Sequence, residues 1–246
     1  MIFKHFTFNH IKLIETESTN SYLHNLNVKT KQVNGTVVSA INQTLGKGQN
    51  QNIWITEKGK NLTFSIITYP NIDVNYAFYL NIISSLAVQK ALTDLKIESK
   101  IKWPNDILVN KKKICGILVE NQIKGTKVIQ SIIGIGLNVN QTQFDSLLNA
   151  TSIHKEDVKI EIEDILNQIY RYLDFYFNLL KESNFKILLN QYYSHLFWYN
   201  QIGDFNDEHS NFKALLLGIS EIGLLKLRLL NQENKVYDIK DVSFNY

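Results

Sequence analysis

The sequence predicts an α+β protein, in which a mixed β-sheet is packed by helices and a small all-β domain follows at the C-terminus. Strand-like apolar runs alternate with helical patterns through the first part of the chain. A long helical pattern with an apolar and aromatic stripe then covers residues 161–199. After Gly203 the chain contains short β-like runs separated by turn residues, which is typical of a small β-barrel. We therefore expect one domain over residues 1–200 and a second over residues 201–246.

The N-terminal part predicts strands and helices in alternation. A strand within residues 1–15 precedes a helix that begins near Ser18-Thr19-Asn20, because hydroxyl and amide side chains favour helix N-termini. Thr36–Ile41 and Asn61–Tyr69 are predicted to be strands from their β-branched and aromatic residues. Asn75–Leu95 is predicted to be a long helix because its apolar residues recur at helical spacing.

The middle of the chain predicts a β-hairpin. The apolar runs Ile107–Val109 and Ile117–Val119 lie on either side of a polar tip around Lys111. Pro104 restricts its own backbone and favours extended geometry at Trp103, so a rigid turn precedes the hairpin. Further strands are predicted over Lys127–Leu137, Phe212–Ile219, Leu224–Leu230 and Val236–Ile239.

The composition is that of a globular protein in a reducing compartment. The chain is 44% hydrophobic and 20% charged, which is enough to bury a core. It contains no uninterrupted apolar stretch of about 18 residues, so no membrane span is expected. The N-terminus does not resemble a signal peptide, and the single cysteine, Cys115, excludes an internal disulfide. We therefore expect a cytoplasmic protein.

The charge is mildly basic and is carried almost entirely by lysine. The net charge is +3, and the chain has 24 Lys but only two Arg, Arg171 and Arg228. Nucleic-acid-binding domains usually carry denser basic clusters, so no DNA partner is expected. Lysine supplies a point charge where arginine supplies a planar fork, so lysine replaces arginine only incompletely.

The region Lys102–Glu120 contains the most informative pattern. Its predicted hairpin holds a carboxylate, an amide and at least one ammonium on one wall of a sheet. That arrangement suits anionic groups, such as a nucleotide phosphate beside a substrate carboxylate. A solvated lysine-rich hairpin tip with a structural Trp is the alternative, because charge clusters usually face water.

Three other segments could serve either a ligand or only the fold. Glu17–Asn20 could cap a helix, or could present hydroxyls and free N–H groups to a polar ligand. Gln43–Trp54 could bring two glycines and a lysine to a ligand with Trp54 stacking on a base, or could be a polar loop that ends in a core Trp. Gly134–Asn140 has glycines at alternate positions, which admit a packed group against the strand or mark a bulge.

Taken together, these segments closely resemble the catalytic core of the biotin protein ligases, the biotin–[acetyl-CoA-carboxylase] ligases. The series E-S-T-N, G-K-G with a later W, K-W-P-N-D, K-x-x-G-I-L-V-E and G-I-G-x-N-V-N carries the resemblance over Ile14–Asn140. The resemblance implies a class II synthetase-like ligase core with a C-terminal SH3-like β-barrel. It also implies a two-step reaction with ATP, Mg²⁺ and biotin, in which biotin and MgATP give biotinyl-5′-AMP and pyrophosphate. The biotin then passes to a lysine of the biotin carboxyl carrier protein of a biotin-dependent carboxylase.

The resemblance also implies roles for individual residues. Lys113 would bridge the biotin carboxylate and the α-phosphate, and Asp106 would accept a proton from the carrier lysine or orient its amine. The residues implied for biotin binding are Ser18, Thr19, Asn20, Gln43, Gly46, Lys47, Gly48 and Gly116. The residues implied for ATP binding are Lys47, Trp54, Asn105, Lys113 and Asn138. No permanently bound metal is expected, because Mg²⁺ would enter with ATP.

The chain departs from the family pattern in two places. The family loop often reads G-R-G-R-R-G-R, whereas residues 46–52 read G-K-G-Q-N-Q-N, so three expected cations are uncharged. Many family members carry a DNA-binding module ahead of the core motif, and here only about 14 residues precede it. We expect weaker retention of the adenylate and no repressor function.

Two alternatives to a biotin ligase stay open. A lipoate–protein ligase or octanoyl transferase shares the core fold, although the Lys102–Asp106 turn and the Gly134–Asn140 strand favour biotin. A non-catalytic module that binds biotin or a nucleotide is the alternative from another class. An exposed strand edge could pair with the carrier domain or with a second copy in a homodimer, and the sequence does not distinguish these two partners.

Overall fold

The computed structural model describes residues 6–49, 52–144 and 149–246. Within these residues the larger of two β-sheets is mixed, as predicted. Its strands are β1 (Asn9–Thr16), β2 (Thr36–Gln43), β3 (Leu62–Thr68), β4 (Ile72–Asp73), β5 (Lys100–Lys102), β6 (Asp106–Val109), β7 (Lys112–Lys124) and β8 (Lys127–Leu137). The strand order is β1-β2-β3-β8-β7-β6-β5, and β4 pairs with β8. β1 and β2 are parallel, and the other neighbours are antiparallel.

Helices cover the two faces of this sheet unequally. The α-helices of the described residues are α1 (Thr19–Lys29), α2 (Tyr79–Asp94), α3 (Ile162–Lys181) and α4 (Phe185–His195). The main hydrophobic core joins one face of the sheet to α2, α3 and α4. On the other face, Leu23 of α1 packs in a smaller cluster with Val38, Ile67 and Ile132. The predicted α+β class is confirmed.

The period-two alternation of β8 explains why the second face is only partly covered. Ile133, Ile135 and Leu137 point into the main core. The residues between them, Gly134 and Gly136, share the second face with Ile132. Two glycines in succession on one face leave the strand backbone bare there, so other groups can approach it closely.

The predicted hairpin is present, and its turn explains why the two strands have this register. Asn110 and Lys111 form a two-residue connection in which both residues have positive φ, 49° and 63°, as a type I′ turn requires. The pairing of β6 with β7 then shifts by one residue at Ile114, which is a β-bulge. Because a one-residue shift moves side chains to the other face, the bulge brings Lys113 onto the face that carries Gly116.

The C-terminal region forms a second, antiparallel sheet. Its strands are β9 (Ile202–Asn206), β10 (Asn211–Ile219), β11 (Leu225–Leu229), β12 (Asn234–Tyr237) and β13 (Ser243–Phe244). Their order is β12-β11-β10-β9-β13. The predicted all-β region is therefore present as a sheet, whereas its closure into an SH3-like barrel and the domain boundary at 200/201 stay predictions.

The helical region predicted over residues 161–199 is divided, and its last residues are not helical. α3 ends at Lys181 and α4 begins at Phe185, with Ser183 between them at φ 58°. A residue in the left-handed region turns the chain out of a helix, and the Ser183 N–H then bonds back to the Leu180 carbonyl at 3.0 Å. The break has no Gly or Pro to signal it in the sequence. After α4 the chain runs beside β5 through a parallel bridge between Leu196 and Ile101.

Two predicted segments lie partly outside the described residues. The first five residues of the predicted N-terminal strand, and Asn50 and Gln51 of the predicted loop, lie outside the described residues. Among the described residues, no helix has the length and apolar character needed to cross a bilayer.

The two sheets meet at Gly223, which lies between two aromatic side chains. The Trp103 indole nitrogen donates a hydrogen bond of 2.8 Å to the Gly223 carbonyl, and Trp103 is fully buried. A Cβ atom added at Gly223 would lie 2.1 Å from the ring of Phe78. Gly223 also has φ +91°, a conformation that side chains disfavour. The junction therefore requires glycine for space as well as for backbone conformation.

We expect Gly223→Ala to destabilise the protein more than Gly125→Ala, which is its matched control. Gly125 has φ +60° but no atom within 4 Å of an added Cβ, so its substitution tests backbone strain alone. Strain should cost about 1–2 kcal/mol at each site. The clash with Phe78 should add about 1–3 kcal/mol at Gly223. Urea unfolding monitored by fluorescence measures both, and equal losses of unfolding free energy would contradict the packing argument.

Candidate active site

One row of paired residues crosses the open face of the larger sheet. Strand pairing places Lys102 opposite Asp106, Asp106 opposite Gly116, and Gly116 opposite Gly136. Gly136 in turn pairs with Thr63 of β3. Paired residues of neighbouring strands share a face. The charged side chains therefore lie at one end of the row, and the glycines form a floor beside them.

A cavity of about 290 Å³ lies over this floor. Eleven of the thirteen residues implied by the family resemblance line it. They are Ser18, Thr19, Asn20, Gln43, Lys47, Gly48, Trp54, Asn105, Asp106, Lys113 and Gly116. These residues come from the start of α1, from the end of β2 and the loop after it, and from the β6–β7 hairpin and the turn before it, so the fold joins segments that are far apart in the chain.

An ion pair forms the charged end of the cavity. Lys113 Nζ lies 2.6 Å from Asp106 Oδ1, and the two side chains are 37% and 16% exposed. The Lys113 side chain crosses the bare backbone at Gly116, where an added Cβ would lie 3.3 Å from Nζ. The same ammonium lies 5.5 Å from the centroid of the Trp54 ring, within cation–π range. The ammonium is thus held at the edge of the cavity and is still reachable from it.

A network of uncharged groups forms the other end. Gln43 Oε1 accepts hydrogen bonds from the Thr19 backbone N–H at 2.8 Å and from its hydroxyl at 3.1 Å. Ser65 Oγ lies 2.7 Å from Thr19 Oγ1 and 2.5 Å from Asn20 Oδ1. Behind them, the Asn20 amide donates at 2.6 Å to the carboxylate of Glu120, which does not line the cavity. Mutual hydrogen bonds therefore fix the orientation of these side chains before any ligand binds.

Ser18 occupies the N-cap position of α1 without acting as a side-chain cap. Its backbone is extended, as an N-cap requires, yet its side chain makes no capping hydrogen bond. The residue is only 3% exposed and lines the cavity. Its hydroxyl therefore lies at the N-terminal end of α1 but does not cap the helix, so it is available to hydrogen-bond a polar ligand.

The glycine loop is the segment between β2 and Trp54, and its described residues 46–48 pair with residues 52–54 and hold Trp54 against the sheet. The backbone N–H of Trp54 donates to the Gly46 carbonyl at 2.8 Å, and Lys47 forms an antiparallel β-bridge with Ile53. A Cβ at Gly46 would lie 2.3 Å from the Trp54 carbonyl oxygen, so only glycine allows this contact. The indole covers Gly136, where an added Cβ would lie 2.4 Å from the ring. The Trp54 side chain thus rests on the floor of the cavity.

Two implied residues do not reach the cavity wall. Gly46 supports Trp54 from behind, as described above. Asn138 is 4% exposed, and its amide donates to the Thr151 carbonyl at 3.0 Å.

Asn105 does line the cavity, but its amide donates to the Ile117 carbonyl at 2.6 Å. The amide nitrogens of Asn105 and Asn138 therefore bond to backbone carbonyls of the protein itself. The nucleotide contacts implied for both residues stay predictions.

The cavity also contains residues that were not assigned to it from the sequence. Gly134, Gly136 and Lys102 line it, and Ser65 braces it from β3. The alternating glycines were a visible signal, since each admits a packed group: Asn20 at Gly134 and Trp54 at Gly136. Lining residues also come from the C-terminal region, for which the sequence carried no signal: Ile239, Val242, Ser243 and Phe244.

The arrangement suits a ligand with an uncharged polar head and an anionic end. Amide and hydroxyl groups at one end can exchange hydrogen bonds with the head. The ammonium groups at the other end can neutralise carboxylate or phosphate oxygens. Among the described residues, no three His, Cys, Asp or Glu side chains form a group that could hold a metal ion.

Comparison with known proteins agrees with this geometry. The model of the biotin/lipoate A/B protein ligase family matches residues 12–138. The bifunctional ligase/repressor BirA of Bacillus subtilis is 38% identical over 137 residues, covering 55% of this chain and 41% of that protein. The biotin–[acetyl-CoA-carboxylase] ligase of Mycobacterium tuberculosis is 30% identical over 146 residues, covering 56% and 52%. The chain thus spans about half or less of the length of these curated relatives.

A solved structure extends the likeness over nearly the whole chain. The biotin protein ligase from Aquifex aeolicus in complex with biotin and ATP matches with a TM-score of 0.78 at 26% identity. The match covers 96% of this chain and 98% of that one. The chain therefore belongs to the biotin/lipoate A/B protein ligase family and has the catalytic-core fold of the biotin protein ligases.

Proposed function

We propose that this chain is an ATP-dependent biotin–protein ligase. It activates biotin as biotinyl-5′-AMP and transfers the biotin to a lysine of a biotin carboxyl carrier protein of a biotin-dependent carboxylase. The observation that carries the proposal is the Lys113–Asp106 pair at the charged end of a cavity whose other end contains Thr19 and Gln43. The name of the Mycobacterium tuberculosis relative supports an acetyl-CoA carboxylase as the acceptor.

The first half-reaction joins two anions. A carboxylate oxygen of biotin attacks the α-phosphorus of MgATP, the bond from that phosphorus to the β-phosphate oxygen breaks, and pyrophosphate leaves with the bonding electrons. Two unit charges about 4 Å apart repel by about 4 kcal/mol at the effective dielectric constant of about 20 that applies near a protein surface. A fixed cation between the carboxylate and the α-phosphate removes this penalty and stabilises the charge that develops on the phosphoryl oxygens. Lys113 is the ammonium proposed for this position.

The uncharged end of the cavity fits the ring system of biotin. The ureido group of biotin offers two N–H donors and one carbonyl acceptor, and Ser18, Thr19 and Gln43 present matching oxygens and an amide. The prior hydrogen bonds of Thr19 and Gln43 hold these groups still, which reduces the entropy lost on binding. Lys47 lines the same cavity and can then approach the carboxylate or the phosphates.

The second half-reaction needs a neutral amine beside the adenylate. The carrier lysine loses a proton, its nitrogen attacks the acyl carbon of the mixed anhydride, and AMP leaves with the electrons of the broken C–O bond. Asp106 can accept that proton or orient the amine. Mg²⁺ is usually held by one or two carboxylates together with substrate phosphates, so Asp106 also fits a Mg²⁺ that enters with ATP.

We expect Lys113→Ala to slow biotinyl-AMP formation by about 10²–10³-fold, the range for removal of one preorganised charge-stabilising group. Lys112→Ala is the matched control, because Lys112 is exposed on the same strand and outside the cavity. Pyrophosphate release in the presence of biotin and MgATP measures the step. Equal rates for the two variants would contradict the role proposed for Lys113.

We expect rapid escape of biotinyl-AMP when no acceptor is present, because the loop supplies one cation, Lys47, where arginine-rich relatives supply several. Gln49→Arg should slow this escape by about tenfold, since Gln49 lines the cavity and a charge-assisted bond to phosphate contributes about 1.5–3 kcal/mol. Thr44→Arg adds the same charge to the loop outside the cavity and should have no effect. Wild-type release as slow as that of an arginine-rich relative would refute the expectation.

The family also contains lipoate ligases, so the acyl substrate requires a direct test. We expect labelling of a carrier domain with biotin and ATP, and no labelling with lipoate and ATP, because the polar end of the cavity offers hydrogen bonds that a dithiolane ring cannot use. Mass spectrometry of the carrier measures both products. Preferential lipoate transfer would assign the chain to the other branch of the family.

A further inference from the structure

We propose that Lys102 is a positioning residue that keeps Asp106 neutralised while Lys113 engages the substrates. The rings of Phe244 and Tyr246, from the C-terminal region, hold the Lys102 ammonium in that place. The inference rests on the proposed ligase function, and it explains how the site maintains its charge balance during the first half-reaction.

Two ammonium groups share one carboxylate in this site. Lys113 Nζ lies 2.6 Å from Oδ1 of Asp106, and Lys102 Nζ lies 4.0 Å from Oδ2 of the same side chain. The position of Lys102 follows from strand pairing, because Lys102 and Asp106 are directly opposite in β5 and β6. Lys102 is therefore a fixed neighbour of the carboxylate and lines the same cavity.

A second cation is needed because one ammonium cannot neutralise three anions. The Lys113 ammonium has three N–H donors, so at 2.6 Å from Asp106 it can still bond the biotin carboxylate and the α-phosphate, and its single charge is then shared among all three groups. Without another cation, Asp106 would be only partly neutralised beside two anionic substrates. The resulting repulsion would oppose both binding and reaction. Lys102 remains at Asp106 and prevents this.

Aromatic rings from the C-terminal region hold Lys102 where it is needed. Its Nζ lies 4.9 Å from the centroid of the Tyr246 ring and 5.6 Å from that of Phe244, both within cation–π range. Phe244 also lines the cavity. The rings attract the ammonium without neutralising it, so its charge remains available to Asp106.

The surroundings are consistent with a partly desolvated cation. The Lys102 side chain is 21% exposed. Burial lowers the pKa of Lys102, an effect that Asp106 opposes and Lys113 reinforces. Burial, followed by the charge of Asp106, raises the pKa of Tyr246 to about 12. Tyr246 therefore stays neutral near pH 7 and cannot replace Asp106 as the counter-ion.

The first test compares Lys102→Met with Lys102→Arg in biotinyl-AMP formation. Met removes the charge and should slow the step by about 10- to 100-fold. The same range is typical when a residue that orients a metal ligand, without touching the metal, is removed. Arg retains the charge and the ring contacts, and should restore most of the rate. Lys90→Met is the matched control, because Lys90 also pairs with a carboxylate four residues later, at 3.4 Å, and lies 6.0 Å from the ring of Tyr172.

The second test is a double-mutant cycle with Asp106→Asn. If Lys102 acts by neutralising Asp106, Lys102→Met should slow adenylation in the wild-type background but have little effect once Asp106 is uncharged. A purely structural role of Lys102 would give the same loss in both backgrounds. A third variant, Tyr246→Leu, should reduce the rate by about 2- to 5-fold, as expected for loss of one weak cation–π contact, and only while Lys102 is present.

The outcomes separate this inference from the ligase function itself. If the wild-type protein forms no biotinyl-AMP, the ligase function fails and the inference fails with it. If the wild-type protein and Lys102→Met form it equally fast while Lys113→Ala does not, the ligase function stands and the inference is overturned. Equal losses with Met and Arg, or additive effects with Asp106→Asn, would also overturn it. Unfolding midpoints equal to that of the wild-type protein establish that a loss of rate is not a loss of fold.

Discussion

The register of the central sheet is the constraint on which the site depends. Strand residues alternate between two faces, so one face can be wholly apolar while the other carries small and charged residues. Here the apolar face packs on α2 and α3, and the other face aligns Lys102, Asp106, Gly116 and Gly136 in one row. The bulge at Ile114 adds Lys113 to that face. A shift of one residue in the β5–β6 or β6–β7 pairing would turn a charged side chain toward the hydrophobic core.

The glycine floor and the charged end of the row serve different physical purposes. Where Gly116 and Gly136 lack side chains, Trp54 and Lys113 lie directly on the backbone. Close packing of this kind fixes the position of the Lys113 ammonium, which lies between a carboxylate and an aromatic ring. A charge that is already in place when the substrates arrive costs no reorganisation during the reaction. The hydrogen bonds among Thr19, Gln43 and Ser65 give the uncharged end the same preorganisation.

The C-terminal sheet contributes to the site as well as to the fold. Trp103 donates a hydrogen bond to Gly223, so the turn that precedes Asp106 is tied to the second sheet. Phe244 lines the cavity from the same region, and both Phe244 and Tyr246 contact Lys102. These contacts join the C-terminal region to the segment that carries Lys102 and Asp106. A disturbance of this junction should affect the chemistry of Asp106 as well as the stability of the protein.

The sequence by itself determined the α+β class and most of the strands and helices, through period-two alternation, helical spacing and turn residues. Its contiguous motifs carried the family resemblance, and eleven of the thirteen residues implied by that resemblance line the cavity. Only the tertiary structure decided the break after Lys181, the inward position of Asn138 and the presence of Lys102 and Phe244 in the cavity. Those features depend on contacts between distant segments, such as the hydrogen bond from Trp103 to Gly223, which are 120 positions apart in the chain. Strand pairing and packing determine such contacts, and neither leaves a local pattern in the sequence.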